Sequence, residues 1–447
     1  MGRKSSVDMT QGPILRLILT FSIPLLLGNL FQELYLVVDS MIVGNFCDAN
    51  ALAAVGSAES PSKVMLAMFR GLSVATTVLV SQAVGAGERE KLAKITATSN
   101  TFLIVCAVPI SIAGAFLARP ILTAMHVEEG AAMEYAVAYM VILMLGTLPM
   151  MGYNQNAGLL RGMGDGRSPL LFLLIASIGN IVLDFLFVGG LHWGTAGAAA
   201  ATVLAQLLAW GFSIVYIRKY YPELDMHPLY FRIYGEHLRE LLRIGIPTGL
   251  NNSIFVFGQV IVTAQVNLFG SYATAGYTCA KRMDMLAYQP VGAMHDCTMT
   301  FVGQNIGAKQ PERTKKGVCL ALISCVLVDM AVCVLILLLR NPLLGLFTKE
   351  QEVITIGGYY LTSTMLLYWM YAVYEILSAA MQGAGAVRYP TLTSVLMFWG
   401  CRIPLVLYFA KHYPVSELFW PFPISWAVAM ILSVGFYSFG KWRKGVL

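Results

Sequence analysis

The stretch Leu170–Gly190 reads LLFLLIASIGNIVLDFLFVGG and carries one charge, Asp184. As a helix it is long enough to cross the hydrocarbon core of a bilayer, which takes about 20 apolar residues. Asn180 precedes Asp184 by four residues, so the two stack one turn apart on one helical face. A carboxylate near the middle of a membrane span costs roughly 2.5–3.5 kcal/mol even on the lenient insertion scale. A group that costly marks either a functional site or polar glue to a neighbouring helix.

Composition extends the reading to the whole chain. Its 447 residues are 57% hydrophobic and 12% charged, with a mean hydropathy of +0.68. A soluble domain carries about 25% charge. The expectation is therefore an all-α polytopic membrane protein. The net charge of +6 calls for no nucleic-acid partner, because the Lys and Arg fall in short loops and at the termini. The eight cysteines are scattered through apolar segments with no C-x-x-C pair, which reads as buried thiols. The opening MGRKSSVDM has the charge of a signal-peptide n-region. The apolar run that follows is too long for one and holds Glu33 and Asp39, so it reads as the first span. The M-G-x-x-x-[ST] match through Ser6 is taken as chance.

Twelve spans are expected, near 15–42, 57–83, 95–118, 131–157, 170–189, 195–217, 241–270, 280–306, 317–339, 353–382, 391–410 and 418–440. With the N-terminus cytoplasmic, 21 of the 30 Lys and Arg lie in inside loops and termini, and only Arg119, Arg340, Lys349 and Lys411 lie outside. That bias places both termini in the cytoplasm and agrees with an even number of spans.

The chain also repeats itself. Leu15-Arg16 leading to Ile23-Pro24 returns as Leu238-Arg239 leading to Ile246-Pro247, an offset of 223. SQAVGAGE from Ser81 returns as GQNIGAKQ from Gly303, an offset of 222. RGMGDGRSP from Arg161 returns as QGAGAVRYP from Gln382, an offset of 221. The period holds six spans, so the halves share an orientation, as in transporters whose substrate path lies between parallel repeats. The expected division is a first lobe of residues 1–217, a cytoplasmic link of 218–240 and a second lobe of 241–447. Pro24 and Pro247 interrupt apolar spans and favour kinks. GMGDG lacks the Lys-Ser/Thr of a phosphate loop and reads as a turn.

Polar residues gather in the first half. On span one, Gln32, Tyr35 and Asp39 share a face. On span six, Thr195, Ala198, Thr202 and Gln206 do the same. Span four ends in MGYNQNAG, with Tyr153, Asn154 and Asn156. Two carboxylates, Asp39 and Asp184, with neutral oxygens around them suit a proton or a hard monovalent cation such as Na+. Alternatively, each carboxylate is satisfied separately. The repeat offset carries Asp39 to Ile261 or Val262, Asn180 to about Cys401 and Asp184 to about Leu405, so the acidic site is not duplicated.

These motifs together resemble the multidrug and toxic compound extrusion (MATE) transporters. The likeness rests on the Ile-Pro spans, VDSMIVGNF, LVSQAVGAGE, LLRGMGDGRSP, FVGQNIGAKQPE and the repeat of six spans. It implies an alternating antiporter that exports organic, often cationic, amphiphilic compounds in exchange for H+ or Na+. In the branch it resembles, the cation site lies in the N-terminal half. Carried over position by position, the site falls on Asp39, Asn180, Asp184 and Thr202, with Na+ held there if Na+ is the coupling ion. Gln32, Tyr35, Asn154, Asn156 and Gln206 are expected to line the substrate cavity, with Asp296 and Glu375 as further candidates. Gln259 and Gln265 stand on span seven, where some relatives use an acid.

The resemblance further implies no cofactor beyond the coupling ion, small organic substrates, a prokaryotic plasma membrane and a monomer. A lipid-linked precursor flippase is the alternative, disfavoured by the few Lys and Arg within spans. An embedded enzyme is disfavoured because the six His show no H-E-x-x-H spacing. Lys281, Arg282 and Asp284 are expected to pair structurally, and Asp329 reads as a lone structural acid.

Overall fold

The computed structural model describes residues 6–46, 49–125, 127, 129–227 and 231–440, with side chains except at 35–37, 39–41, 43–45, 49–53, 57, 59–60 and 63–65. The fold is all-helical, and twelve helical segments fall on the twelve expected spans. In the first half these are α1 (Ile14–Phe46), α2 (Ala49–Ala86) and α3 (Arg89–Ala124), then the pair α4 (Ala131–Leu145) and α5 (Thr147–Gly162), which meets at a 47° bend. Next, α6 (Arg167–Asp184) runs into a π-helical turn at Phe185–Gly190, and α7 (Gly194–Tyr220) follows.

The second half repeats the order. It runs through α8 (Gly235–Asn267), α9 (Ser271–Gly307), α10 (Pro311–Leu338) and the short α11 (Arg340–Gly345). The tenth span is α12 (Gln351–Met365) with α13 (Tyr368–Gly383). The eleventh is α14 (Arg388–Val395), a π-helical turn at Leu396–Arg402 and α15 (Ile403–His412). The last is α16 (Pro421–Phe439). Among the described residues, eight helices are long and apolar enough to cross a membrane by themselves, and the bent α4–α5 pair makes a ninth.

The repeat is visible in the backbone. Gly164 and Gly385, 221 residues apart, adopt φ of 81° and 78°, which only glycine takes without strain. A Cβ on Gly162 would lie 2.9 Å from the Thr77 carbonyl oxygen, and one on Gly383 would lie 2.4 Å from that of Met299. Thr77 and Met299 are 222 apart. The α5–α2 and α13–α9 pairs therefore approach through the same small-residue contact.

Two compact units divide the chain. One holds the chain up to Asp8 and Leu27–Asn252; the other holds Met9–Leu26 and Ser253–Leu447. These boundaries differ from the division read at 217 and 241. The chain changes unit inside α1, just past Pro24, and inside α8, just past Pro247. A helix-interior proline removes a backbone bond and permits a bend, so one helix can serve two cores. The link 218–240 packs with the first unit. There Arg232 N–H donates to Thr101 Oγ1 (3.1 Å) and Tyr234 N–H to Thr98 Oγ1 (3.2 Å).

Candidate cation site

The face of α6 that turns inward is built from Phe172, Leu173, Ala176, Ser177, Asn180 and Asp184. The opposite face exposes Leu171, Ile175, Ile178 and Val182. Apolar side chains point outward and polar ones inward, as expected of a membrane span. Against it, α7 buries Ala198, Ala199, Ala201, Thr202, Ala205 and Ala209, small side chains that let the two backbones come close.

Asp184 is fully buried and Asn180 is 1% exposed. With its amide nitrogen facing the carboxylate, Asn180 donates to Asp184 Oδ2 at 3.0 Å, and its oxygen accepts from Thr202 N–H at 3.3 Å. Thr202 Oγ1 lies 3.5 Å from the same amide end. Three of the four expected cation ligands are thus brought together. Asp184 also marks the change from α to π geometry, where Leu191 N–H reaches back five residues to Leu186 O (2.8 Å). Such single-turn irregularities free backbone groups and cluster at functional sites.

The side chains of Asp39 and Tyr35 lie outside the described residues. Their neighbours on α1, Val38 and Ile42, pack in the same apolar cluster as Ile181 and Val188, which bracket Asp184. Gln32 is half-buried on α1. Gln206 stands one turn beyond Thr202, and its Oε1 is buried without a hydrogen-bond partner among the described residues.

Asn156, also expected to line the substrate cavity, meets α7 further along. Asn156 is 1% exposed and donates to Ser213 Oγ (2.8 Å). Ser213 is 11 residues beyond Thr202, about 16 Å along α7 at 1.5 Å per residue. Asn156 instead borders a small crevice with Asn100, Trp210 and His227. Asn154 is exposed and donates to the Met150 carbonyl of its own helix (2.7 Å). Thr195 donates to Tyr135 O (3.1 Å) and ties α7 to α4.

In the second unit Glu375 is not a lone acid. Its Oε2 lies 2.8 Å from His295 Nδ1, and Asp296 is half-buried beside that histidine. The repeat held this signal: Glu375 lies 221 residues after Asn154 and His295 lies 222 after Ser73, whose hydroxyl donates to Asn154 O (2.7 Å). Lys281 and Asp284 form the expected pair. Asp329 is fully buried on α10, with Cys333 Sγ 3.7 Å away. Arg402, inside the eleventh span, is buried, and its Nε–H donates to Ser425 Oγ (2.9 Å). Of the described cysteines Cys297, Cys325 and Cys333 are buried, but Cys319 is exposed on α10.

The start of α6 is set by Asp165 of the GMGDG turn. Its carboxylate accepts from Arg167 N–H (3.1 Å), Ser168 N–H (3.0 Å), Ser168 Oγ (2.6 Å) and Tyr221 Oη (2.8 Å). A carboxylate on first-turn amides caps a helix N-terminus. Burial, then the Asp165 charge, pushes the Tyr221 phenol well up from its ordinary value.

Comparison with known proteins follows the same repeat. The family model described as MatE matches residues 24–186 and 247–407. The chain is 29% identical over 439 residues to the "Probable multidrug resistance protein YoeA" of Bacillus subtilis, covering 95% of this chain and 93% of that protein. It is 24% identical over 433 residues to the "Probable multidrug resistance protein NorM" of Thermotoga maritima, covering 96% and 93%. The solved structure described as "Crystal structure of MATE in complex with MaL6" has the same fold, with a TM-score of 0.91 at 24% identity over 99% of both chains.

Proposed function

The chain belongs to the MatE family of multi-pass membrane transporters, which are not enzymes, and on that premise we propose that it is a secondary antiporter that exports organic, often cationic, amphiphilic compounds in exchange for H+ or Na+. The observation that carries the reading is the fully buried Asp184, hydrogen-bonded by Asn180 and set beside Thr202. Carboxylate, amide and hydroxyl oxygens are the ligands a hard cation takes, and the same carboxylate can hold a proton instead. Asp39 is the fourth member of the site. The names of YoeA and NorM, probable multidrug resistance proteins, support export of varied compounds.

In this mechanism a cation entering at Asp184 neutralises a charge that the apolar cluster of Ile181, Val188 and Ile42 disfavours. Loading and unloading therefore shift the packing of α6 against α7, and α1 bends near Pro24 in response. Gln32 and Gln206 face the exported compound, which binds more weakly once the cation is loaded. The protein works as a monomer in a prokaryotic plasma membrane with both termini cytoplasmic, and it needs no cofactor besides the coupling ion.

Dye efflux from proteoliposomes tests the reading, first under a pH gradient alone and then under a Na+ gradient alone. Efflux under one of them, lost in Asp184→Asn, is the expected result and names the ion. Equal efflux by wild type and variant would overturn the assignment of Asp184.

A further inference from the structure

Among the described residues Arg402 is the one lysine or arginine that is buried, at 3% exposure. It lies 222 residues after Asn180, and its partner Ser425 lies 223 after Thr202. Those are the offsets of the internal repeat. The Arg402–Ser425 bond (2.9 Å) is therefore the second-half counterpart of the Asn180–Thr202 contact (3.5 Å), and each joins a fifth span to a sixth. The two halves differ in charge. Where the first half has an amide beside a carboxylate, the second has a guanidinium.

The surroundings fit a resident cation. The guanidinium carbon lies 4.8 Å from the ring centres of Phe398 and Phe422 and 5.8 Å from that of Trp426, within cation–π range. Asp284 is in electrostatic reach of it, and Asp329 of Asp284. Lys281 is paired with Asp284. Asp284 thus has two cations on it, Lys281 and Arg402, which leaves no net negative charge at this position for a mobile cation to neutralise. By contrast, no Lys or Arg stands between Arg167 and Arg218, the stretch that forms α6 and α7.

The geometry points to one inference, which rests on the cation site proposed above. In the second repeat the cation position is filled permanently by the Arg402 guanidinium, so the exchangeable cation binds in the first repeat alone, one per transport cycle. A guanidinium stays protonated in proteins and is tethered to the chain, so it is neither loaded nor released. In a low-dielectric interior its charge also repels a second cation strongly. The asymmetry of the repeat then has a physical meaning: one half titrates while the other keeps a fixed charge.

Thermal melting of the purified protein tests this, with the first-half site disabled by Asp184→Asn. With Arg402 intact, the melting temperature should not respond to Na+, or to acidification beyond the trend of the wild-type scaffold. Adding Arg402→Gln removes the fixed charge and leaves Asp284 with Lys281 alone and Asp329 still buried. That double variant should gain about 2–4 °C with saturating Na+ or on acidification, relative to Asp184→Asn alone. Adding Arg402→Lys instead restores the flat response.

The second measurement is the number of cations moved per substrate by wild type, read from the opposing gradient that reverses flux. One is expected, and this number decides the matter if Arg402→Gln does not fold. A flat response in folded Arg402→Gln, a cation response with Arg402 intact, or two cations per substrate would each overturn the inference. If neither gradient drives transport in wild type, the antiporter reading fails, while the melting comparison still reports on Arg402.

Discussion

Replacing Asp184 by Asn should separate stability from transport, and the structure sets the size of both effects. The carboxylate is fully buried, so removing its charge relieves a cost of about 2.5–3.5 kcal/mol on the insertion scale. The charge-assisted bond from Asn180 is lost with it, worth about 1.5–3 kcal/mol. The difference runs from near zero to about 2 kcal/mol in favour of the variant. For a chain of this size that is a melting temperature between unchanged and about 4 °C higher. Transport should move the other way. A coupling free energy of about 1–3 kcal/mol corresponds to a 5–150-fold effect, so gradient-driven efflux should fall at least about fivefold. The assay pairs dye efflux from proteoliposomes with melting of the same preparation. A variant that keeps more than about a third of driven efflux, or that melts more than about 5 °C lower, would show that Asp184 serves the fold.

Three further outcomes follow from named contacts. Thr202→Val keeps the shape of a buried side chain but removes the hydroxyl beside Asn180, and should weaken apparent coupling-ion affinity about 5–30-fold in efflux titrations without lowering expression. Gly383→Ala places a Cβ 2.4 Å from the Met299 carbonyl oxygen and should cost about 1–3 kcal/mol by thermal melting, whereas Gly211→Ala, with nothing within 4 Å, should be neutral or slightly stabilising. Tyr221→Phe removes a 2.8 Å donor to the Asp165 carboxylate and should cost about 1.5–3 kcal/mol. Because the folded Tyr221 phenol is raised above its unfolded value near 10, the stability it contributes is present below that pH and lost as pH climbs past it. An alkaline melting series should therefore slope down in wild type and less steeply in Tyr221→Phe.

Much of this was legible in the sequence because a bilayer imposes length and apolarity on every span. The run around Asp184 could be read as one helix, and the i, i+4 spacing put Asn180 and Asp184 on the face that packs against Thr202. The repeat was equally plain, since Gly164 and Gly385 hold the same left-handed turn in both halves. What the pattern did not show was choice of neighbour. Nothing in the periodicity of α1 or α8 says that each helix changes core past its proline. On α5 the run MGYNQNAG is polar on several faces, so the side to which Asn156 turns depends on the 47° bend before it. Arg402, and His295 as the partner of Glu375, were missed for another reason. Each differs in type from its first-half counterpart, Asn180 and Ser73, so the match lies in position rather than chemistry.

Release of the coupling ion on substrate binding can be read without any gradient. The purified protein is mixed with a cationic dye in weakly buffered solution to detect released protons, and in parallel after equilibration with radioactive Na+ to detect displaced sodium. About one cation should be released per wild-type molecule and none from Asp184→Asn, with dye binding retained in both. Equal release from the two proteins would contradict it and place the exchangeable cation away from Asp184.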